Sequence, residues 1–133
     1  MPGSFFDTNV IVYIASADPV KAAKAEQAIA AGGEISVQVL NELANVARRK
    51  MQMPWTDIHN LLATLRALLT VHPITVETHE TGLALAERYG LSTFDAMIAA
   101  SAIHAGCDTL WSEDMQHGMA LEEGLRIVNP FRM

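Results

Sequence analysis

Five short apolar runs, separated by stretches with helical patterning, most constrain what this chain can fold into. Ser4-Phe5-Phe6, Glu34-Ile35-Ser36-Val37, Pro73-Ile74-Thr75-Val76, Thr109-Leu110-Trp111-Ser112 and Leu125-Arg126-Ile127-Val128 read as strands. Between them, residues 10–17 read as a short helix. Asp18-Pro19 opens a second one, with a capping carboxylate and then proline at the first helical position, and Gly32-Gly33 ends it. Ser36 is placed to cap a helix over about 38–51. After Pro54, Ile58, Leu61, Leu62, Leu65, Leu68 and Leu69 recur at helical spacing. Helices are also expected over 78–89, stopping at Gly90, and from Thr93 to just before Gly106. Strands that alternate with helices make βαβ units, which require a mostly parallel sheet covered on both faces. The expected fold is a three-layer α/β/α arrangement in a single domain over 1–133.

Composition removes several function classes. The longest uncharged stretch, Ala96 to Cys107, is far short of the ~20 apolar residues of a membrane span. The start, Met1-Pro2-Gly3-Ser4, carries no basic segment, and Asp7 interrupts any early apolar run, so no signal peptide is expected and the location is expected to be cytoplasmic. The only cysteine, Cys107, excludes an intrachain disulfide framework and multi-cysteine metal sites. None of the five histidines falls at a metal-ligand spacing, and His104, on an apolar helix, reads as a satisfied core or boundary residue. The net charge of −6 comes entirely from the residues after Arg66, which hold three basic and nine acidic side chains. Arg48-Arg49-Lys50 is the one basic run. It reads as a helix end favoured by the dipole, with phosphate contact as the alternative.

Four acids stand out by position. Open α/β sheets bind ligands beyond the carboxyl ends of their strands. Asp7, followed by Thr8-Asn9, ends the first strand, and Asp114 follows the fourth beside Glu113. Each could serve only a cap or a turn. Asp95 completes the capping-box pattern Ser92-Thr93-Phe94-Asp95, in the first turn of a helix, where a carboxylate stays ionised. Glu42 falls at the edge of the buried arc formed by Val39, Leu40, Leu43, Val46 and Ala47, together with Gln38, Asn45 and Arg49. One requirement accounts for all four. Clustered carboxylates partly protonate unless a cation neutralises them, and hard oxygen ligands suit Mg²⁺ or Mn²⁺. Such ions hold a scissile phosphate and activate water, which is nuclease chemistry.

Four segments resemble the PIN-domain ribonucleases, and within them the VapC-type toxins of toxin–antitoxin pairs. These are Phe5-Phe6-Asp7-Thr8-Asn9-Val10, Ser36-Val37-Gln38-Val39-Leu40-Asn41-Glu42-Leu43, Ser92-Thr93-Phe94-Asp95-Ala96-Met97-Ile98-Ala99-Ala100 and Leu110-Trp111-Ser112-Glu113-Asp114-Met115. They follow the family's order and extend over essentially the whole chain. The resemblance implies a sheet ordered 3-2-1-4-5 and an acidic quartet of Asp7, Glu42, Asp95 and Asp114 that binds Mg²⁺ or Mn²⁺, with Asp7 and Asp95 as principal ligands. Thr8, Asn9 and Ser112 match its supporting polar positions. Gln116 stands where some members carry another acid, which puts a second metal in doubt. The implied activity is metal-dependent hydrolysis of RNA to a 5′-phosphate and a 3′-hydroxyl. The implied partners are RNA, a second copy in a homodimer, and a small antitoxin that fills the cleft with a basic side chain among the acids.

Arg48, Arg49 and Lys50 are the weaker candidates for RNA contact. Asp108 reads as turn chemistry outside the site, and Met51-Gln52-Met53-Pro54-Trp55 as core and loop filling. Two competing readings remain. One is a catalytically silent PIN-like binding module. The other is a phosphoryl-transfer domain of the haloacid-dehalogenase or receiver type, disfavoured because Asn9 stands where the former has a second Asp and no lysine follows Lys50.

Overall fold

The computed structural model describes residues 3–132; Met1, Pro2 and Met133, which include the start read above for targeting and the ends of the expected domain, lie outside the described residues. One all-parallel sheet of five strands has the order β3-β2-β1-β4-β5. The strands are β1 (Gly3–Phe6), β2 (Glu34–Ser36), β3 (Thr70–His72), β4 (Cys107–Trp111) and β5 (Arg126–Val128). Helices α1 (Thr8–Ile11), α2 (Pro19–Ala30), α3 (Val37–Arg49), α4 (Trp55–Leu68), α5 (Val76–Tyr89) and α6 (Thr93–His104) complete the α/β/α fold. Phe5 and Phe6 are consecutive, so they point to opposite faces of β1, and both are 0 % exposed. Both faces of the sheet are therefore covered, as a parallel sheet requires. Ile35, Leu110 and Ile127 extend that core along the neighbouring strands.

Chain direction creates the site. From β1 the sheet grows one way through β2 and β3; the chain then returns to lay β4 along the other side of β1, pairing Phe5 with Leu110 and Phe6 with Trp111. Beside the carboxyl ends of β1 and β4 the strand order reverses, and this is where open α/β sheets form a crevice.

Several local expectations need correction. The third strand is Thr70–His72 rather than 73–76. Pro73 has no N–H for a ladder, and Thr75 is the N-cap of α5, where its side chain and that of Thr78 satisfy each other's backbone. That helix consequently starts at Val76, two residues before the expected 78, and Val76 is 74 % exposed. The first helix starts at Thr8 under an Asp7 cap and tightens into a 3-10 turn over Val12–Ala15 instead of running over 10–17. Ser36 occupies the cap position of α3, yet its Oγ makes no capping bond and is buried without a partner. Asp108 lies within β4 rather than in a turn, where it accepts from the Thr109 hydroxyl. His104 is exposed rather than core and bonds to Thr81 Oγ1 at 2.9 Å.

One glycine holds the sheet close to the site. A Cβ on Gly33 would lie 2.5 Å from Phe6 Cε2 and 2.8 Å from the Ser4 carbonyl oxygen, so the chain enters β2 against β1 only because that atom is missing. Among the described residues no helix is long and apolar enough to cross a membrane.

Candidate active site

Asp7 is the most constrained polar residue of the crevice. Its backbone N–H extends the β1–β4 ladder by donating to the Trp111 carbonyl at 2.9 Å. Its extended backbone then turns the chain into α1, and Oδ1 accepts the Thr8 N–H at 2.7 Å. The capping role read from the sequence is therefore real and occupies one carboxylate oxygen. Oδ2 faces the fourth strand, where it accepts from Ser112 Oγ at 2.9 Å and from Asn9 Nδ2 at 3.3 Å. Asn9 Oδ1 in turn accepts the Glu113 N–H at 3.0 Å, and Ser112 Oγ accepts the Met115 N–H at 3.2 Å. This network locks the loop after β4 to the end of β1.

The remaining acids come from two helices and that loop. Glu42 projects from α3 and accepts from Thr8 Oγ1 at 2.7 Å, which accounts for its position at the edge of the helix's buried arc. Asp95 stands in the first turn of α6, whose start is fixed by Ser92 Oγ accepting the Asp95 N–H at 3.2 Å. Asp114 is exposed at the mouth. Asp7, Thr8, Asn9, Glu42, Asp95 and Asp114 all line one open cleft of about 470 Å³, and Ser112 lies buried just beneath it.

Electrostatics mark the cleft as under strain. Burial pushes the Asp7 carboxyl up to about 7; the Ser112 and Thr8 hydrogen bonds oppose the shift, while the charges of Asp95 and Glu42 add to it. Asp95 is also raised, by burial first and then by Asp114, against the Ser92 bond. Among the described residues no three His, Cys, Asp or Glu side chains converge into a metal-ligand set, so the acids share a cleft without closing on a point. Their chemistry nonetheless fits a hard divalent ion. The donors are all oxygen, and a cation would relieve the burial and like-charge cost that raises the Asp7 carboxyl.

Lys50 apart, the other residues of the cleft were not legible from spacing. Val12, Tyr13, Val46, Lys50, Met51 and Glu113 also line it. Of the basic run, only Lys50 does so. Arg48 donates to the Met53 carbonyl and places its guanidinium over the Trp55 ring at 4.9 Å, while Arg49 is exposed at the helix end. Trp55 is an exposed stacking partner rather than core filling. Glu113, whose role the sequence left open, is bound to Lys21 Nζ at 2.7 Å and accepts from Tyr13 Oη at 2.7 Å. Burial works to raise Glu113, but Lys21 and Tyr13 prevail and hold it below the ordinary carboxylate range. The ammonium of Lys21 also lies 4.7 Å from the Tyr13 ring and 5.2 Å from the Phe131 ring. Tyr13 lies in the 3-10 turn, where helical periodicity fails, so its direction had no sequence signal.

Comparison with known proteins agrees with this fold. The PIN-domain family profile matches residues 4–118. Among solved structures, a toxin–antitoxin complex from Klebsiella pneumoniae superposes with a TM-score of 0.74 at 23% identity, covering 98% of this chain and 99% of that one. VapC20 of Mycobacterium tuberculosis, described as a sarcin-ricin loop cleaving toxin, gives 0.64 at 18% identity, covering 84% and 89%. A DNA-bound VapBC from Salmonella typhimurium gives 0.67 at 20% identity, covering 98% and 99%. No curated protein matches the sequence significantly. A profile match over most of the chain, on the expected strand order, makes this chain a member of the PIN-domain family.

Proposed function

We propose that the chain is a divalent-metal-dependent endoribonuclease, the toxin of a VapBC-type pair, formed as a single domain over 1–133. The observation that carries this reading is the cleft at the strand-order reversal, where Asp7, Glu42, Asp95 and Asp114 share one solvent-open space. Asp7, Glu42, Asp95 and Asp114 would hold Mg²⁺ or Mn²⁺, with Asp7 and Asp95 as the principal ligands. When bound, the ion would supply Lewis acidity toward the phosphate and a more acidic water. Asn9 and Ser112 fix the carboxylate plane of Asp7, and Thr8 fixes Glu42. The expected outcome is in-line attack of water on phosphorus, leaving a 5′-phosphate and a 3′-hydroxyl. A cytoplasmic location, a homodimer and a small antitoxin belong to the same reading, and the toxin–antitoxin neighbour from Klebsiella pneumoniae supports the last.

The absence of a converged ligand set among the described residues favours one alternative, a PIN-like module that binds without cleaving. Incubation with a mixed RNA pool in Mn²⁺, Mg²⁺ or EDTA, beside Asp95→Asn, separates the two. Cleavage that needs metal and falls at least about 100-fold in Asp95→Asn supports the nuclease. Metal-independent or undiminished cleavage places the chemistry elsewhere, and RNA binding without any cleavage selects the silent module.

Lys50 is the one cation lining the cleft among the described residues, so Lys50→Ala should weaken RNA binding and lower the slope of log K against log salt by about one. Arg48→Ala, already engaged with Met53 and Trp55, should change that slope less. Equal slopes for both variants would remove Lys50 from the RNA path.

A further inference from the structure

The residue immediately before Asp95 has no assigned role. Phe94 is 69 % exposed, an arrangement that forgoes most of the burial a side chain of this size offers. Among the described residues no aromatic ring or cation is stacked on it. Its backbone, in contrast, is pinned. Gln38 Nε2 donates to the Phe94 carbonyl at 3.2 Å, and the Ser92 cap fixes the helical turn that carries both Phe94 and Asp95. The result is an exposed apolar ring carried on the same fixed helical turn as Asp95.

The charge distribution says what such a face must do if the chain binds RNA. The protein carries −6 overall, and one cation lines the cleft among the described residues. Lys21 is committed to Glu113, and Arg48 to Met53 and Trp55. Phosphate attraction alone therefore gives little affinity to set against the repulsion from the acids. Base stacking on an aromatic ring is indifferent to that repulsion and contributes about tenfold or more in affinity per base. A base must be unpaired and splayed to offer its face, which single-stranded loops and bulges permit.

Resting on the ribonuclease reading, we propose that Phe94 is a specificity-determining residue, a stacking platform for one unpaired RNA base. Phe94 and Asp95 are consecutive on α6, about 3.8 Å apart at Cα and about 100° apart around the helix, so a base on Phe94 would belong to a nucleotide flanking the cleft rather than one inside it. Cleavage is thereby directed to unpaired positions, with tolerance for base identity, because every base has a face to stack.

The probe is a single-stranded RNA oligonucleotide carrying one 2-aminopurine, titrated with Ca²⁺ in place of Mn²⁺, with its integrity checked on a gel. The wild type should quench the fluorophore. Phe94→Ala should bind about tenfold more weakly with the quench lost, and Phe94→Tyr should restore both. In Mn²⁺, Phe94→Ala should raise KM about tenfold with little change in kcat, and its thermal midpoint should match the wild type, since the ring is exposed. Unchanged quench and KM in Phe94→Ala would overturn the proposal and leave the ring to a protein partner such as an antitoxin. Failure of the wild type to bind the oligonucleotide would overturn it as well. Phe94-dependent quenching without cleavage in Mn²⁺ would uphold the platform while refuting the nuclease reading.

Discussion

Asp7→Asn is expected to abolish RNA cleavage and, in EDTA at pH 8, to melt at a higher temperature than the wild type. The loss should be at least about 100-fold, because Asp7 is the buried acid of the cleft and the one shared by α1, β1 and β4. The gain in stability follows from proton linkage. A carboxyl that titrates near 7 when folded and near 4 when unfolded keeps a proton in the native state that the unfolded chain has released. Its contribution is fully present below about pH 4, declines as the pH rises and is lost above about 7. The wild type thus forfeits on the order of 2–4 kcal/mol across that window. Asparagine carries no such charge. Its amide would face the donor Asn9 Nδ2, which takes back part of the gain and leaves roughly 1–3 kcal/mol. Mn²⁺ should raise the wild-type midpoint and leave that of Asp7→Asn nearly unmoved. Thermal melts between pH 4 and 8, with and without Mn²⁺, measure both effects. A variant that melts below the wild type at pH 8 would show that the Asp7 charge is not a burden on the fold.

Gly33→Ala should cost on the order of 2–4 kcal/mol, lowering the melting temperature by roughly 10 °C. The new methyl would meet Phe6 Cε2 at 2.5 Å and the Ser4 carbonyl at 2.8 Å, and the second of these is backbone within a parallel ladder that cannot step aside. The φ of +157° adds to the penalty. Gly118→Ala is the control, since its φ is also positive at +84° but nothing lies within 4 Å of the added atom. A difference between the two variants isolates the steric part, and equal melts would refute it. Because Phe6 immediately precedes Asp7, residual activity in Gly33→Ala should fall further than the folded fraction alone explains.

The parts of this protein that could be read in sequence are those written in adjacent residues. Asp7-Thr8-Asn9 after Phe5-Phe6 announced a strand end with polar cargo, and the arc around Leu43 placed Glu42 at a border. The third strand was misplaced because Leu68-Leu69 continue the apolar period of α4 up to Thr70, which hides the boundary, while Ile74 and Val76 supply branched residues to a segment that instead caps α5. The network that holds Glu113 was beyond reach for a different reason. Tyr13, Lys21 and Glu113 meet across separations of 92 and 100 residues, and no local periodicity records such a meeting. Ser36 shows the converse, a residue in the right place for a cap whose side chain is not used as one.

The pairing of β1 with β4 also sets a timetable. Asp7 is made 105 positions before its partner Ser112. Until then the fourth strand, the Trp111 carbonyl and the loop carrying Asp114 do not exist, and the nascent chain has a first strand with one side open. A PIN-domain chain thus has no cleft until β4 has been made and can pair with β1.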